Sequence, residues 1–115
     1  MPAAPDLEVA IVSHGAEELL RRCLRSLRAH PPSGAMRVTV VDSGSPDATP
    51  DMVAREFPEV RLLRRENIGF SAANNLVLRG SDAAAVLLLN PDTEVYAGIG
   101  AKLATSLAIT AARGR

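Results

Sequence analysis

Hydrophobic positions along the chain follow two alternating rhythms. Short, largely apolar runs are separated by longer stretches in which apolar residues recur every three or four positions. The short runs are Leu7 to Val12 (LEVAIV), Arg37 to Val41 (RVTVV), Val60 to Leu63 (VRLL) and Ala84 to Leu89 (AAVLLL). Bounded by turn residues, they suit strands, and the wholly apolar run ending at Leu89 suits one buried on both faces. The first long stretch, Glu17 to His30, carries Leu20, Cys23, Leu24 and Leu27 at i, i+3, i+4 and i+7. Arg21, Arg22, Arg25 and Arg28 fall mostly off that stripe, as on an amphipathic helix. Glu17 and Glu18 suit the positive end of its dipole and Arg28 the negative end, and Pro31-Pro32 stops it. Thr49 followed by Pro50 reads as an N-cap and first helical residue, opening a helix to about Phe57. A third helix is expected from Phe70 to Arg79, with Gly80 as its stop. Ile99, Leu103 and Leu107 give a weaker stripe for a final, Ala-rich helix.

The order is β-α-β-α-β-α-β-α. Such alternation predicts a Rossmann-like, three-layer α/β/α fold with a mostly parallel four-stranded sheet and right-handed crossovers. The chain has 115 residues, the size of one small domain, so residues 1–115 read as a single unit. It is 47% hydrophobic and only 3% aromatic, with Phe57, Phe70 and Tyr96 as its rings. Phe70 is expected to anchor the core. Thirteen basic residues balance thirteen acidic ones, so no global field favours nucleic acid or an anionic membrane. One cysteine, Cys23, cannot form an internal disulfide, and its place on the first apolar stripe marks it as packing. The N-terminus lacks the basic and apolar regions of a signal peptide, and no apolar run approaches the roughly 18–20 residues of a membrane span. A soluble, cytoplasmic domain is the expectation.

In a parallel sheet every strand's carboxyl end opens on one edge, and ligands bind there. Three polar clusters fall on that edge: Ser13-His14-Gly15, Asp42-Ser43-Gly44-Ser45 and Asn90-Pro91-Asp92. The turn holding Asn67 and Gly69 joins them if the third strand is a neighbour. Pro91 cannot donate to a ladder, so the fourth strand should end near Asn90, at the mouth of a central strand. The chain has no G-x-x-x-x-G-K-[ST] phosphate loop, no G-x-G-x-x-G fingerprint and no G-x-S-x-G elbow. His14 and His30 have no cysteine partners at zinc spacing. What remains is an oxygen-ligand arrangement. Asp92, with an amide and a second carboxylate nearby, suits Mg2+ or Mn2+, which take few protein ligands and share phosphate oxygens.

Three segments resemble a known family. Val40-Val41-Asp42-Ser43-Gly44-Ser45-Pro46-Asp47-Ala48-Thr49 resembles the V-V-D-[ND]-G-S-x-D-x-T segment of family 2 glycosyltransferases. Asn67-Ile68-Gly69-Phe70-Ser71-Ala72-Ala73-Asn74-Asn75 resembles that family's N-x-G-F-x-x-x-N-N helix start. Leu88-Leu89-Asn90-Pro91-Asp92-Thr93-Glu94 is similar to the N-P-D form of its D-x-D motif, common in the rhamnosyltransferase-like branch. The resemblance covers about residues 7 to 98 and implies a GT-A fold whose N-terminal half binds a nucleotide sugar. It implies that Asp42 accepts a hydrogen bond from the N3–H of uracil or thymine, and that Ser13 and His14 line base or ribose. Ser43, Asn67, Gly69 and Asn74 are implied around the donor, Asn90 at the ribose or sugar, and Asp92 on a Mg2+ or Mn2+ ion bridging the diphosphate.

The family has an Asn after the first strand where this chain has Gly15. It also carries its general base in an acceptor-binding half beyond the metal motif, whereas this chain ends at Arg115. The catalytic residue is therefore unassigned, and Glu94 lies too close to the metal position to be the base. Two functions are implied. One is inverting transfer from a UDP- or dTDP-sugar to a hydroxyl of a glycan or lipid-linked acceptor, as in cell-wall or polysaccharide biosynthesis. The other is a truncated, catalytically incomplete nucleotide-sugar-binding module. A receiver-like signalling domain is disfavoured, because no acidic pair follows the first strand and no Asp follows the third. An uncovered C-terminal helix leads to an expectation of self-association.

Overall fold

The structure, a computed structural model, describes residues 4–31 and 35–95. Seven elements alternate along it: β1 (Leu7–Ser13), α1 (Glu17–Ala29), β2 (Met36–Ser43), α2 (Thr49–Glu56), β3 (Arg61–Arg65), α3 (Phe70–Gly80) and β4 (Ala85–Leu89). The four described strands pair in parallel in the order β3-β2-β1-β4. The chain steps outward from β1 to β3, then returns across the sheet to place β4 on the other side of β1.

That reversal separates the helices into two layers. Leu7, Val9 and Ile11 of β1 pack with Leu20, Cys23, Leu24 and Leu27 of α1 and with Met52, Val53 and Phe57 around α2. Ala10 and Val12 face the opposite way, toward Ala73 and Val77 of α3. Alternate residues of one strand thus serve two cores, and all seven residues of β1 are buried. Each large aliphatic side chain so buried contributes about 1.5–3 kcal/mol. The stripe expected on α1 is the stripe that is buried.

Several expectations shift. β2 runs further than its β-branched stretch, so Asp42 and Ser43 are its last residues, with Asp42 beside Ser13 in register. Thr49 is the first residue of α2 rather than its cap, and Ala48 holds the cap position. The capping oxygen comes from Asp47, whose Oδ1 accepts the Thr49 amide at 3.0 Å and the Thr49 hydroxyl at 2.5 Å. Those bonds hold the Asp47 carboxyl below the usual carboxylate range. Phe70 is 58% exposed and does not anchor the core, because Ala73, Asn74 and Val77 occupy the buried side of α3. Phe57 supplies the buried ring. β4 is the margin of the four described strands rather than a central one, and Leu88 is 44% exposed. The expected final helix, with Tyr96, lies outside the described residues. No helix among the described residues is long and apolar enough to cross a membrane.

The amino end of the sheet holds a carboxylate that the apolar look of β1 conceals. Glu8 is fully buried. It accepts hydrogen bonds from Arg37 at 2.6 Å, from Thr39 and Ser81 at 2.5 Å each, and from Arg61 at 3.4 Å. Burial by itself pushes the Glu8 carboxyl up. The donors and the Arg37 charge outweigh it, and the net shift is downward.

Candidate active site at the carboxyl edge of the sheet

At the other end, β1 delivers Ser13 and β2 delivers Asp42 and Ser43, all three buried. The loops that follow are tied to one another by hydrogen bonds between atoms far apart in sequence. His14 Nδ1 lies 2.6 Å from the carbonyl of Ser43. A carbonyl can only accept, so Nδ1 carries a proton, and in the neutral tautomer Nε2 of this exposed ring is an acceptor. The Gly15 amide donates to Ser45 Oγ at 2.7 Å. Ser45 in turn donates from Oγ to Asp42 Oδ1 at 2.5 Å and from its amide to Oδ2 at 3.2 Å. The Ser13 hydroxyl turns inward to the Gly15 carbonyl at 3.2 Å.

The β3–α3 connection joins this cluster through Asn67. Its Oδ1 accepts from Ser43 Oγ and from the Gly69 amide, each at 3.3 Å. Gly44, at φ +68°, makes the approach possible: a Cβ there would stand 2.9 Å from the Asn67 backbone nitrogen. Gly69 is likewise left-handed, at φ +87°, and hands the chain into α3 without a side-chain cap. Asn74 lies one turn along and is only 5% exposed.

The turn after β4 is anchored differently. The Thr93 amide closes it on the Asn90 carbonyl at 3.1 Å, and the Val95 amide donates to Ser26 Oγ of α1 at 2.9 Å. The Cys23 thiol approaches the Asn90 carbonyl at 4.0 Å. Burial, then the charges of Asp92 and Glu94, push that thiol up to about 12. The two carboxylates therefore stand near α1, and both are exposed. No hydrogen bond among the described residues links Asn90 or Asp92 to the His14–Asp42–Asn67 cluster. Nor do three His, Cys, Asp or Glu side chains close on a common point there. An exposed carboxylate in a tight turn still fits a hard cation that takes most of its oxygens from a ligand.

The structure thus brings Ser13, His14, Asp42, Ser43, Asn67 and Gly69 into one bonded set, and leaves Asn74, Asn90 and Asp92 outside it. Ser45 was not singled out from the sequence. An Asp followed three residues later by Ser is a turn signature that could have found it. A cavity of about 290 Å³ lined by Leu24, Leu27, Met36, Val38 and Val60, with Arg28 and Glu59 also on its wall, lies on the α1 face, away from these loops.

The sequence profile of glycosyl transferase family 2 matches residues 8–106. The chain belongs to this family. It is 29% identical over 99 residues to the uncharacterized glycosyltransferase YibD of Escherichia coli strain K12, a match spanning 84% of this chain and 28% of that protein. Its fold is similar to that of the mannosyltransferase PcManGT from Pyrobaculum calidifontis, solved in complex with GDP-Man and Mn2+. There the TM-score is 0.70 at 24% identity, over 94% of this chain and 32% of the other. S. aureus TarS 1-349 in complex with UDP gives a TM-score of 0.70 at 20% identity, over 90% of this chain and 32% of that one. These likenesses make the fold GT-A, and this family 2 chain spans a third or less of the length of each relative.

Proposed function

We propose that this family 2 chain is the nucleotide-sugar-binding domain of a glycosyltransferase. Residues 1–115 would serve as one donor-binding unit. The observation that carries the reading is the bonded edge cluster: three loops from adjacent strands are tied through His14, Gly15, Asp42, Ser43, Ser45 and Asn67. A preorganised edge of this kind loses little freedom when a nucleotide binds.

Asp42, an acceptor at the end of β2, meets the N3–H of a uracil or thymine base. Ser13 and His14 line the base or ribose, with His14 Nε2 as an acceptor for a ribose hydroxyl. Ser43, Asn67, Gly69 and Asn74 border the donor, and Asn90 faces the ribose or sugar. Asp92 holds Mg2+ or Mn2+, with the diphosphate supplying further oxygens; the ion offsets diphosphate charge. The GDP-Man and Mn2+ complex of one neighbour and the UDP complex of another support a nucleotide donor with a divalent ion. The sugar passes with inversion to a hydroxyl of a glycan or lipid-linked acceptor. The rhamnosyltransferase-like branch rests on the Asn90-Pro91-Asp92 form alone.

Calorimetric titration of the chain with UDP- and dTDP-sugars, in Mn2+ and in EDTA, tests this reading. Saturable binding that needs the ion and disappears in Asp92→Ala is expected. Binding that is indifferent to EDTA and to Asp92→Ala contradicts the metal assignment. Binding without transfer to any acceptor would make the chain a binding module.

A further inference from the structure

We propose that Ser45 is the positioning residue of the base site, fixing the rotation of the Asp42 carboxylate and tying the β1 loop to the same anchor. This rests on the reading that Asp42 meets the base.

Ser45 engages both oxygens of Asp42, one through its hydroxyl at 2.5 Å and one through its amide at 3.2 Å. A carboxylate held at both oxygens by one residue cannot turn about its Cβ–Cγ bond without giving up both bonds. The hydroxyl is also engaged as both donor and acceptor. A backbone amide can only donate, so the Gly15 N–H at 2.7 Å takes a Ser45 lone pair, and the one hydroxyl proton goes to Asp42. Gly15 sits at φ +72°, and the loop carrying His14 is held to β2 by this bond and by His14 on the Ser43 carbonyl. Asp42 is 4% exposed, so each of its bonds forms with little competing water.

The consequence is a carboxylate whose remaining lone-pair sites, one on each oxygen, are fixed in direction before any ligand arrives. A base that offers an N–H from one of those directions meets a fixed acceptor. A base whose nitrogen bears a methyl group does not. Loss of the Ser45 hydroxyl leaves the carboxylate on the longer amide bond alone, so its rotation is less restrained and the recognition of that one N–H suffers while contacts to ribose and phosphate stay.

Calorimetry with UDP and N3-methyl-UDP in Mn2+, on the wild-type chain, Ser45→Ala and Ser45→Thr, tests this. Wild type is expected to prefer UDP by about tenfold or more, as for one charge-assisted hydrogen bond. Ser45→Ala should lose about that factor for UDP and less than about twofold for N3-methyl-UDP, and Ser45→Thr should restore the preference. Equal losses for both ligands, or a preference unchanged in Ser45→Ala, overturn the role of Ser45 and leave the Asp42 reading standing. Wild type that binds both alike, or neither, overturns the Asp42 reading and the role of Ser45 with it. If Ser45→Ala melts below the assay temperature, Ser45→Cys gives the same comparison with a weaker donor.

Discussion

Gly44→Ala is the substitution that most directly measures how tightly the loops of the edge are fitted together. The residue sits at φ +68°, where a side chain costs about 1–2 kcal/mol. Replacing glycine also removes freedom from the unfolded chain, which returns about 0.4–1 kcal/mol. Backbone conformation alone therefore predicts a loss near 1 kcal/mol. At Gly44 a second effect adds to it, because the new Cβ would stand 2.9 Å from the Asn67 backbone nitrogen. Backbone cannot swing aside as a side-chain tip can, so the β3–α3 connection must shift, at about 1–3 kcal/mol as for overpacking. The expected total is about 2–4 kcal/mol. Two other glycines separate the terms. Gly69, at φ +87°, has nothing within 4 Å of its virtual Cβ, and Gly15, at φ +72°, has only Asp47 Oδ2 at 3.7 Å. Gly15→Ala should lose only about 1 kcal/mol in urea unfolding, whereas Gly69→Ala, at ψ +159° in a region essentially reserved for glycine, should lose about 1–3 kcal/mol from backbone conformation alone. If Gly15→Ala loses as much as Gly44→Ala, the close approach of Gly44 to Asn67 is not a feature of the folded protein.

At the amino end, Glu8→Ala should cost about 2–3 kcal/mol by leaving Arg37 and Arg61 without their shared partner, below the usual buried-pair figure because both are part exposed. The folded Glu8 pKa lies below the ordinary 4.5, so its stabilisation is complete above that value and is lost as pH falls through the folded one. Acid unfolding of Glu8→Gln should accordingly be shallower than wild type; coincident curves would contradict the network. Cys23, buried and with its thiol at about 12, should resist iodoacetamide at pH 8 in the native chain and react once urea unfolds it. Native-state labelling at the rate of a free thiol would place α1 differently.

What the residues alone disclosed follows physical range. The α1 stripe of Leu20, Cys23, Leu24 and Leu27 is local, and its periodicity survives into the core unchanged. The parallel sheet followed from alternation of elements. The Glu8 network was hidden, because its partners Arg37, Thr39, Arg61 and Ser81 lie 29, 31, 53 and 73 residues away and meet only once strand order is set. Phe70 misled for a related reason. An aromatic at a helix start reads as an anchor, but which side of α3 faces the sheet depends on the left-handed entry at Gly69. The place of β4 at the margin of the four described strands was hidden too, since an apolar run looks alike at the centre and at the edge of a sheet. At the candidate site, the residue types were visible and their joining was not: Ser45 bonds Asp42 locally, but it also ties in Gly15, thirty residues before it.

The carboxyl edge of the sheet is expected to receive a nucleotide diphosphate with its ion. Amide chemical shifts of the chain, titrated with UDP and then with Mn2+, test it most directly. The expected result is movement at residues 13–15, 42–45 and 67–70 with UDP, and paramagnetic broadening centred on Asn90 and Asp92 with Mn2+. The amides of Glu8, Arg37 and Ser81 should stay in place. Shifts gathered at that amino end, or Mn2+ broadening remote from Asp92, would contradict it.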